Sequence, residues 1–563
     1  MALRALSTFP SLPRRFTRRD PALTSIHRNP ATSIVCKSIS SGSEPTVSLS
    51  ERDGFAAAAP TPGERFLESQ RAHQAQKVLK RETKKNKKKE EESVRKVVVV
   101  DTSVSCCYGC GAPLQTSDVD SPGFVDLVTY DLKKKHHQLR TVICGRCQLL
   151  SHGHMITAVG GNGGYAGGGK QFVSADELRE KLSHLRYEKA LIVKLVDVVD
   201  FNGSFLARVR DLVGANPIIL VITKVDLLPK GTDMNCIGDW VVEMTTKKKL
   251  NVLSVHLTSS KSLDGVSGVA SEIQKEKKGR DVYILGAANV GKSAFINALL
   301  KTMAERDPVA AAAQKYKPIQ SAVPGTTLGP IQINAFLGGE KLYDTPGVHL
   351  HHRQAAVVHS DDLPALAPQN RLRGQSFDIS TLPNQSSSSS PEGETLNGYT
   401  FFWGGLVRID ILKALPETRF TFYGPKALEI HVVPTKTATE FYQKEVGVLL
   451  TPPSGKDQIQ EWKGLQSHRL LRIEFNDPKR PASDVAISGL GWISIEPIRR
   501  SKDSEPPRDL QEAEHEIRVC VSVPKPVEVF IRPTLPIGTS GAEWYQYRDL
   551  SDKEEELRPK WYF

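Results

Sequence analysis

The segment Gly286-Ala287-Ala288-Asn289-Val290-Gly291-Lys292-Ser293 has the residue types and spacing of a phosphate-binding loop. Glycines at both ends permit a tight turn that aims backbone N–H groups at phosphate oxygens, and a helix starting directly after the loop adds its positive end. In such a loop Gly286, Asn289, Val290 and Gly291 form the cradle, Lys292 reaches the β- and γ-phosphates, and Ser293 offers its hydroxyl to Mg²⁺. Phosphate chemistry alone does not separate GTP from ATP. The base-reading candidate is Thr223-Lys224-Val225-Asp226. A carboxylate at Asp226 accepts from both N1–H and the exocyclic amine of guanine, a paired donor edge that adenine lacks, while Lys224 covers the ring. Ser259-Ser260-Lys261 adds short side chains that leave backbone donors free for the base oxygen.

Two more segments complete a reaction centre. Pro324-Gly325-Thr326-Thr327 supplies a threonine, Thr326 or Thr327, that ligates Mg²⁺ beside the γ-phosphate. In Asp344-Thr345-Pro346-Gly347, Asp344 holds a metal-bound water and Gly347 offers its N–H to the γ-phosphate. Val348 follows at the place where many GTPases carry a glutamine that orients water, so slow intrinsic turnover is expected. His349, His351 and His352 read as a solvated cluster rather than a general base.

A second chemistry resides in the cysteines. Cys107-Tyr108-Gly109-Cys110 and Cys144-Gly145-Arg146-Cys147 are paired CxxC knuckles separated by 33 residues, a donor set that surrounds structural Zn²⁺ tetrahedrally. Cys106 is an alternative to Cys107, and His152 and His154 are weaker ligand candidates; Cys36, Cys236 and Cys520 look unrelated. A redox role is disfavoured, because a redox CxxC needs no duplicate and no flavin or nicotinamide fingerprint accompanies the P-loop.

The elements that must position these residues alternate. Apolar runs at 190–196, 217–223, 252–257 and 281–285 read as buried strands separated by helical stretches, and the motifs stand at strand ends. This predicts a multidomain α/β protein whose P-loop domain, 173–355, has a mostly parallel sheet. Ser174 and Glu177 are spaced as a capping box ahead of Leu178, Leu182 and Leu185. The Cys module spans 97–158 and a Gly-rich linker 159–172. Residues 356–398, with a Ser run and scattered Pro, are expected to be a low-complexity insertion with little fixed structure. From 399 to 563, β-like segments at 401–412, 418–423, 428–433, 469–475 and 515–531 predict a β-rich domain.

Composition narrows the setting. At 563 residues, several domains are expected, and no run of eighteen apolar residues suggests a transmembrane helix. The net charge of +12 is concentrated: residues 1–36 carry six arginines against one acid, and residues 77–96 carry ten basic residues against four glutamates. Residues 1–36 have transit-peptide composition, pointing to a chloroplast or a mitochondrion, with 37–96 as a disordered or helical basic arm.

An ordinary GTPase has its P-loop first and its base motifs last, whereas here the blocks are reversed. In that order, in the Cys module, and in Val196-Asp197-Val198-Val199-Asp200-Phe201-Asn202-Gly203-Ser204, the chain resembles the YqeH family of circularly permuted GTPases, from about Cys107 to the C-terminus. The resemblance implies binding of GTP and GDP, a ribosome-assembly role with organellar rRNA or a ribosomal subunit as partner, and an RNA-binding β-domain. Phe401, Trp403, Arg469, Arg472, Lys479 and Arg480 would serve there for stacking and phosphate contact, although such aromatics more often fill a β core. It also implies that Asn289 helps hold K⁺. The competing readings are a GTP-gated protein-interaction switch without RNA contact and, for Asn289, simple loop stabilisation. Because Asp344 leads through residues 356–398 into the β-rich domain, nucleotide state is expected to reposition that domain.

Overall fold

A computed structural model describes residues 105–152, 175–382 and 395–563, apart from gaps at 207, 317, 321–324, 416–417, 475–479, 498–515 and 546–550. The transit segment, the basic arm, the Gly-rich linker, Cys36, His154, Ser174, Pro324 and Lys479 therefore lie outside the described residues.

A continuous apolar run without polar alternation suits a strand covered on both faces. Ala190–Asp197 (β1) is such a strand, buried at every position, and it lies at the centre of a seven-stranded sheet. The others are Ile218–Thr223 (β2), Ser254–Leu257 (β3), Asp281–Gly286 (β4), Ile331–Ile333 (β5), Leu342–Asp344 (β6) and a terminal strand, Lys560–Tyr562. Their spatial order is terminal strand, β3, β2, β1, β4, β6, β5, and only the β5–β6 pairing is antiparallel. Successive side chains of β1 point to opposite faces. Ile192 and Val196 enter a core with Trp240 and Val241 of the helix Met234–Lys247, while Leu191, Val193 and Leu195 enter another with Phe295, Ile296 and Leu299 of the helix Lys292–Ala304. Lys194 interrupts the run. It is fully buried with its ammonium 3.4 Å from the centre of the Phe205 ring, and burial holds its pKa well below the usual lysine range.

The chain runs from β1 outward through β2 and β3, then returns to the other side of β1 as β4. That reversal opens a crevice at the carboxyl ends of the parallel strands, where ligands of open α/β sheets bind.

The β-rich domain consists of two five-stranded sheets, paired antiparallel. They share a core that includes Phe401, Trp403, Phe420, Phe422, Ile493 and Val521. The expected run 401–412 is in fact a hairpin, Tyr399–Trp403 and Val407–Lys413, because the chain turns at Gly404 with φ +54. Similarly, 515–531 divides into Glu516–Val523 and Val529–Arg532.

Two domain expectations need correction. Residues 356–382 are structured: Leu363, Leu366 and Leu382 are buried in the β-domain core, and Gln375–Phe377 is an edge strand paired with Thr418–Tyr423. Its polar composition conceals this because only a few apolar anchors carry the packing; residues 383–394, with the Ser run, lie outside the described residues. The C-terminus does not stay with the β-rich domain either. Lys560–Tyr562 joins the P-loop sheet beside β3, where the Trp561 ring lies on Gly238 so closely that a Cβ there would come within 2.3 Å of it. Trp561 Nε1 donates to Asp239 at 3.0 Å, and Tyr562 stacks on His256 with 5.0 Å between ring centres.

Candidate functional site

The P-loop is shaped by its backbone. Asn289 and Gly291 adopt positive φ, 61° and 89°, and Gly291 caps the helix Lys292–Ala304. Lys292 is buried, with its ammonium donating to the carbonyls of Gly286 (3.2 Å) and Ala287 (2.8 Å). Burial lowers its pKa to about 8; nearby Asp344 opposes this shift and Arg353 adds to it. Gly347 lies against the same loop. A Cβ there would be 2.8 Å from Ala288 Cα and 2.9 Å from Lys292 Nζ, so the close approach requires glycine. Val348 is buried and bridges to the loop, its N–H donating to Gly286 (3.3 Å) and its carbonyl accepting from Ala288 N–H (2.8 Å).

Three oxygen-bearing side chains converge beside Lys292. Ser293 Oγ donates to Asp344 Oδ2 at 3.2 Å, and Thr327 Oγ1 lies 3.5 Å from the same oxygen. Of the two threonines considered, Thr327 is the one brought to Asp344; Thr326 is half-buried beside it. Asp344 Oδ1 is buried with no hydrogen-bond partner among the described residues. Burial raises the Asp344 pKa to about 6 despite Lys292, Ser293 and Thr327, which act in the opposite direction. A carboxylate oxygen left unsatisfied beside two hydroxyls fits a small, hard cation such as Mg²⁺.

The base-reading segments lie at the same end of the sheet and are tied to the P-loop. Thr223 Oγ1 donates to the Val290 carbonyl at 2.7 Å. Lys224, itself at φ 64°, extends its ammonium to Asp197 Oδ2 (2.5 Å) and to the Asn289 carbonyl (2.9 Å). Val225 N–H donates to Thr258 at the end of β3, linking this loop to Ser259-Ser260-Lys261. Ser259 Oγ accepts from the N–H groups of Lys261 and Ser262, which fixes that turn. The Asp226 carboxylate is half-buried and takes no hydrogen bond from the described residues. It remains available to a base.

Sequence reasoning missed Arg353. This buried residue donates from Nε to Asp200 Oδ2 (2.8 Å) and from Nη1 to the Ala288 carbonyl (2.6 Å). Asp200 was visible only as part of a family phrase, and burial raises its pKa. The histidine expectation also needs correction: of the three, only His351 is exposed, whereas His349 is buried and His352 Nε2 lies 3.0 Å from the Gly203 carbonyl. The following backbone is hydrogen-bonded to the β-rich domain, from Gln354 N–H to Ser488 (2.9 Å) and from Glu528 N–H to His352 (3.0 Å).

Away from this crevice, Cys107, Cys110, Cys144 and Cys147 are all buried and bring their sulfurs within 4.8 Å of one another. The Cys110–Cys144 separation is 3.9 Å. Zn–S bonds of about 2.3 Å in a tetrahedron place sulfurs about 3.8 Å apart, so the donor set fits Zn²⁺. The N–H groups of Gly109 and Cys144 both point at Cys107 Sγ at 3.3 Å. Mutual hydrogen bonding among the thiols drives Cys144 down and Cys110 and Cys147 up, a conflict that a central dication would resolve by ionising all four. Cys106 is exposed and outside the group, and His152 is exposed and does not join it.

Sheet order, P-loop and base-reading loops together define a P-loop GTP-binding domain of the GTPase type. A family model described as "50S ribosome-binding GTPase" matches residues 281–372, and one described as "YqeH-like, C-terminal" matches residues 417–535. The chain belongs to the YqeH family of circularly permuted GTPases. It is 88% identical, over 100% of both chains, to the Arabidopsis thaliana protein named NO-associated protein 1, chloroplastic/mitochondrial. A rice protein named putative nitric oxide synthase is 65% identical over 91% of this chain and 92% of its own. YqeH of Bacillus subtilis is 31% identical over 76% of this chain and 98% of its own. The N-terminal composition and the first relative's name agree on a chloroplast address, with the mitochondrion as the second destination in that name. Among the described residues no helix is long and apolar enough to cross a membrane.

A Mg²⁺ held by Ser293, Thr327 and Asp344, directly or through a bound water, would require Asp344 ionised, and burial raises the pKa of that carboxyl to about 6, above the ordinary carboxylate range. Protons therefore compete with the metal below that value, and the apparent Mg²⁺ affinity of the nucleotide-free protein should fall about tenfold per pH unit below about pH 6 while staying level above about pH 7. Calorimetric titration of Mg²⁺ across this range checks it; a flat profile would show that ionisation of Asp344 does not govern the metal site.

Proposed function

We propose that the chain is a slow GTPase that acts as an organellar ribosome-assembly or RNA-binding factor. The observation that carries the GTPase part is the bridge from Lys224 to Asn289, which holds the guanine-reading loop and the phosphate loop at one edge of one sheet. In this reading Asp226 accepts from the guanine edge, backed by Thr223, Lys224 and the turn Ser259-Ser260-Lys261. Gly286, Asn289, Val290, Gly291 and Lys292 hold the phosphates, with Lys292 exchanging its two carbonyl partners for phosphate oxygens and Gly347 offering its N–H to the γ-phosphate. Ser293, Thr327 and Asp344 hold Mg²⁺, which neutralises charge on the triphosphate when bound. Val348 is buried and has no group to orient water, which supports slow hydrolysis.

The ribosomal part is supported by the description of the matching GTPase family. In the β-rich domain Phe401 and Trp403 are core residues, so they are withdrawn as stacking platforms. Arg469 and Lys525 line a cavity of about 720 Å³ on that domain, and Arg472 is exposed on the same strand, pointing to its other face, where it pairs with Glu516. These cations support phosphate contact. The full chain should therefore bind organellar rRNA with an affinity that falls steeply between low and physiological salt. A filter-binding or anisotropy titration that finds no salt-sensitive RNA binding would favour the GTP-gated protein switch instead.

Asn289, whose carbonyl already accepts from Lys224, is proposed to help hold K⁺ at the phosphates. Single-turnover hydrolysis should be faster in KCl than in NaCl at equal ionic strength; equal rates would leave Asn289 a loop-stabilising residue only.

A further inference from the structure

The Cys₄ module does not merely precede the GTPase domain; it grips the loop that carries Thr327. Arg146 lies between two of the four cysteines, Cys144 and Cys147, in the first turn of the helix Gly145–Ser151. Its guanidinium donates from Nη2 to the Gly325 carbonyl at 3.0 Å and reaches the Thr326 carbonyl from Nη1 at 3.4 Å. On the other side of Thr327, the Cys110 carbonyl accepts from Leu328 N–H (2.7 Å) and Gly329 N–H (3.2 Å). Lys181 Nζ adds a bond to the Leu328 carbonyl at 3.0 Å. Gly111, at φ +73, and Gly329 then meet backbone to backbone: a Cβ on Gly111 would come 2.3 Å from the Gly329 oxygen, and one on Gly329 would come 2.6 Å from the Gly111 oxygen.

Thr327 is thus held on both flanks by groups contiguous with the two CxxC knuckles. In GTPases generally, the loop supplying this threonine is ordered by the γ-phosphate and Mg²⁺ and released after hydrolysis. A loop fastened by protein groups loses less freedom when the triphosphate arrives, and that selectively favours GTP over GDP, because only the triphosphate state engages the threonine.

We propose that Arg146 is a positioning residue through which the Cys₄ module holds Thr327 against Asp344 and sets the preference for GTP over GDP. The inference rests on the GTPase reading above. A guanidinium is suited to the task because its planar fork holds two donors in fixed directions, whereas a lysine ammonium is a strongly hydrated point charge on a flexible stem that is less preorganised for the same pair of carbonyls.

The test uses the full chain carrying its bound zinc and compares the wild type with Arg146→Ala and Arg146→Lys. Zinc content, affinity for GDP, affinity for a non-hydrolysable GTP analogue with and without Mg²⁺, amide exchange at residues 325–329 and, for the wild type, affinity for ATP are read. In Arg146→Ala, zinc content and GDP affinity are expected to stay within about twofold of wild type, while the Mg²⁺-dependent preference for the GTP analogue falls about tenfold, corresponding to the loss of two hydrogen bonds. Arg146→Lys is expected to fall between the two, and amide exchange at residues 325–329 to quicken in the order wild type, Lys, Ala. Undiminished preference in a zinc-loaded Arg146→Ala protein overturns the proposal. Should the alanine variant lose zinc, the lysine variant decides in the same way. A wild-type protein that does not prefer GTP to ATP would sink the underlying GTPase reading as well, so the two failures are distinguishable.

Discussion

The parallel pairing of β1 with β4 is the contact on which the rest of the site depends. Its register places Leu195 opposite Gly286, and the pairing of β1 with β2 places Asp197 opposite Thr223. The end of β1, the start of the P-loop and the base-reading loop therefore emerge at one level. Only then does the Lys224 ammonium span from Asp197 to the Asn289 carbonyl, and the Thr223 hydroxyl reach Val290. A slip of one residue would send Ile192 and Val196 to the opposite core and separate these partners. The two apolar cores on either face hold the register, so the geometry of a polar site is secured by packing some distance beneath it.

Circular permutation leaves this sheet intact and changes what is joined to its phosphate-side loops. With β1 as the first strand, the Cys₄ module enters ahead of it and packs on residues 325–329. With β6 as the last strand before the crossover, the chain after Gly347 passes into the β-rich domain within a few residues, through the hydrogen bonds of His352 and Gln354. Arg353 fastens that passage to the P-loop itself. Each loop that would sense the γ-phosphate is thus attached to a different accessory domain. The terminal strand Lys560–Tyr562 returns to the opposite edge of the sheet, beside β3, and places the chain end near the base-reading side.

The central strands were readable because parallel strands buried on both faces leave long apolar runs. The 217–223 and 281–285 expectations differ from the observed β2 and β4 by a single residue. The candidate nucleotide-binding segments stood out because each has particular residue types at fixed spacing next to a strand end. What sequence did not reveal depends on distant partners. Lys560–Tyr562 is only three residues long and carries no periodicity; its strand character comes from β3 and from Gly238 beneath Trp561. Residues 375–377 are an edge strand by virtue of Thr418–Tyr423 alone. Arg353 resembles any surface arginine until Asp200 and Ala288, far away in sequence, surround it. His349 looked solvated for the converse reason, since nothing in its sequence neighbours announces its burial.

One pocket must both read guanine and hold a triphosphate. Competition binding with GTP, ATP and xanthosine triphosphate, on the wild type and on Asp226→Asn, tests this most directly. An amide at residue 226 can donate to the xanthine oxygen but no longer accepts from both guanine donors. The wild type should prefer GTP by at least about a hundredfold, and Asp226→Asn should lose GTP and gain xanthosine triphosphate, each good hydrogen bond to the base contributing roughly tenfold. ATP binding as tightly as GTP, or unchanged GTP binding by Asp226→Asn, would contradict the account.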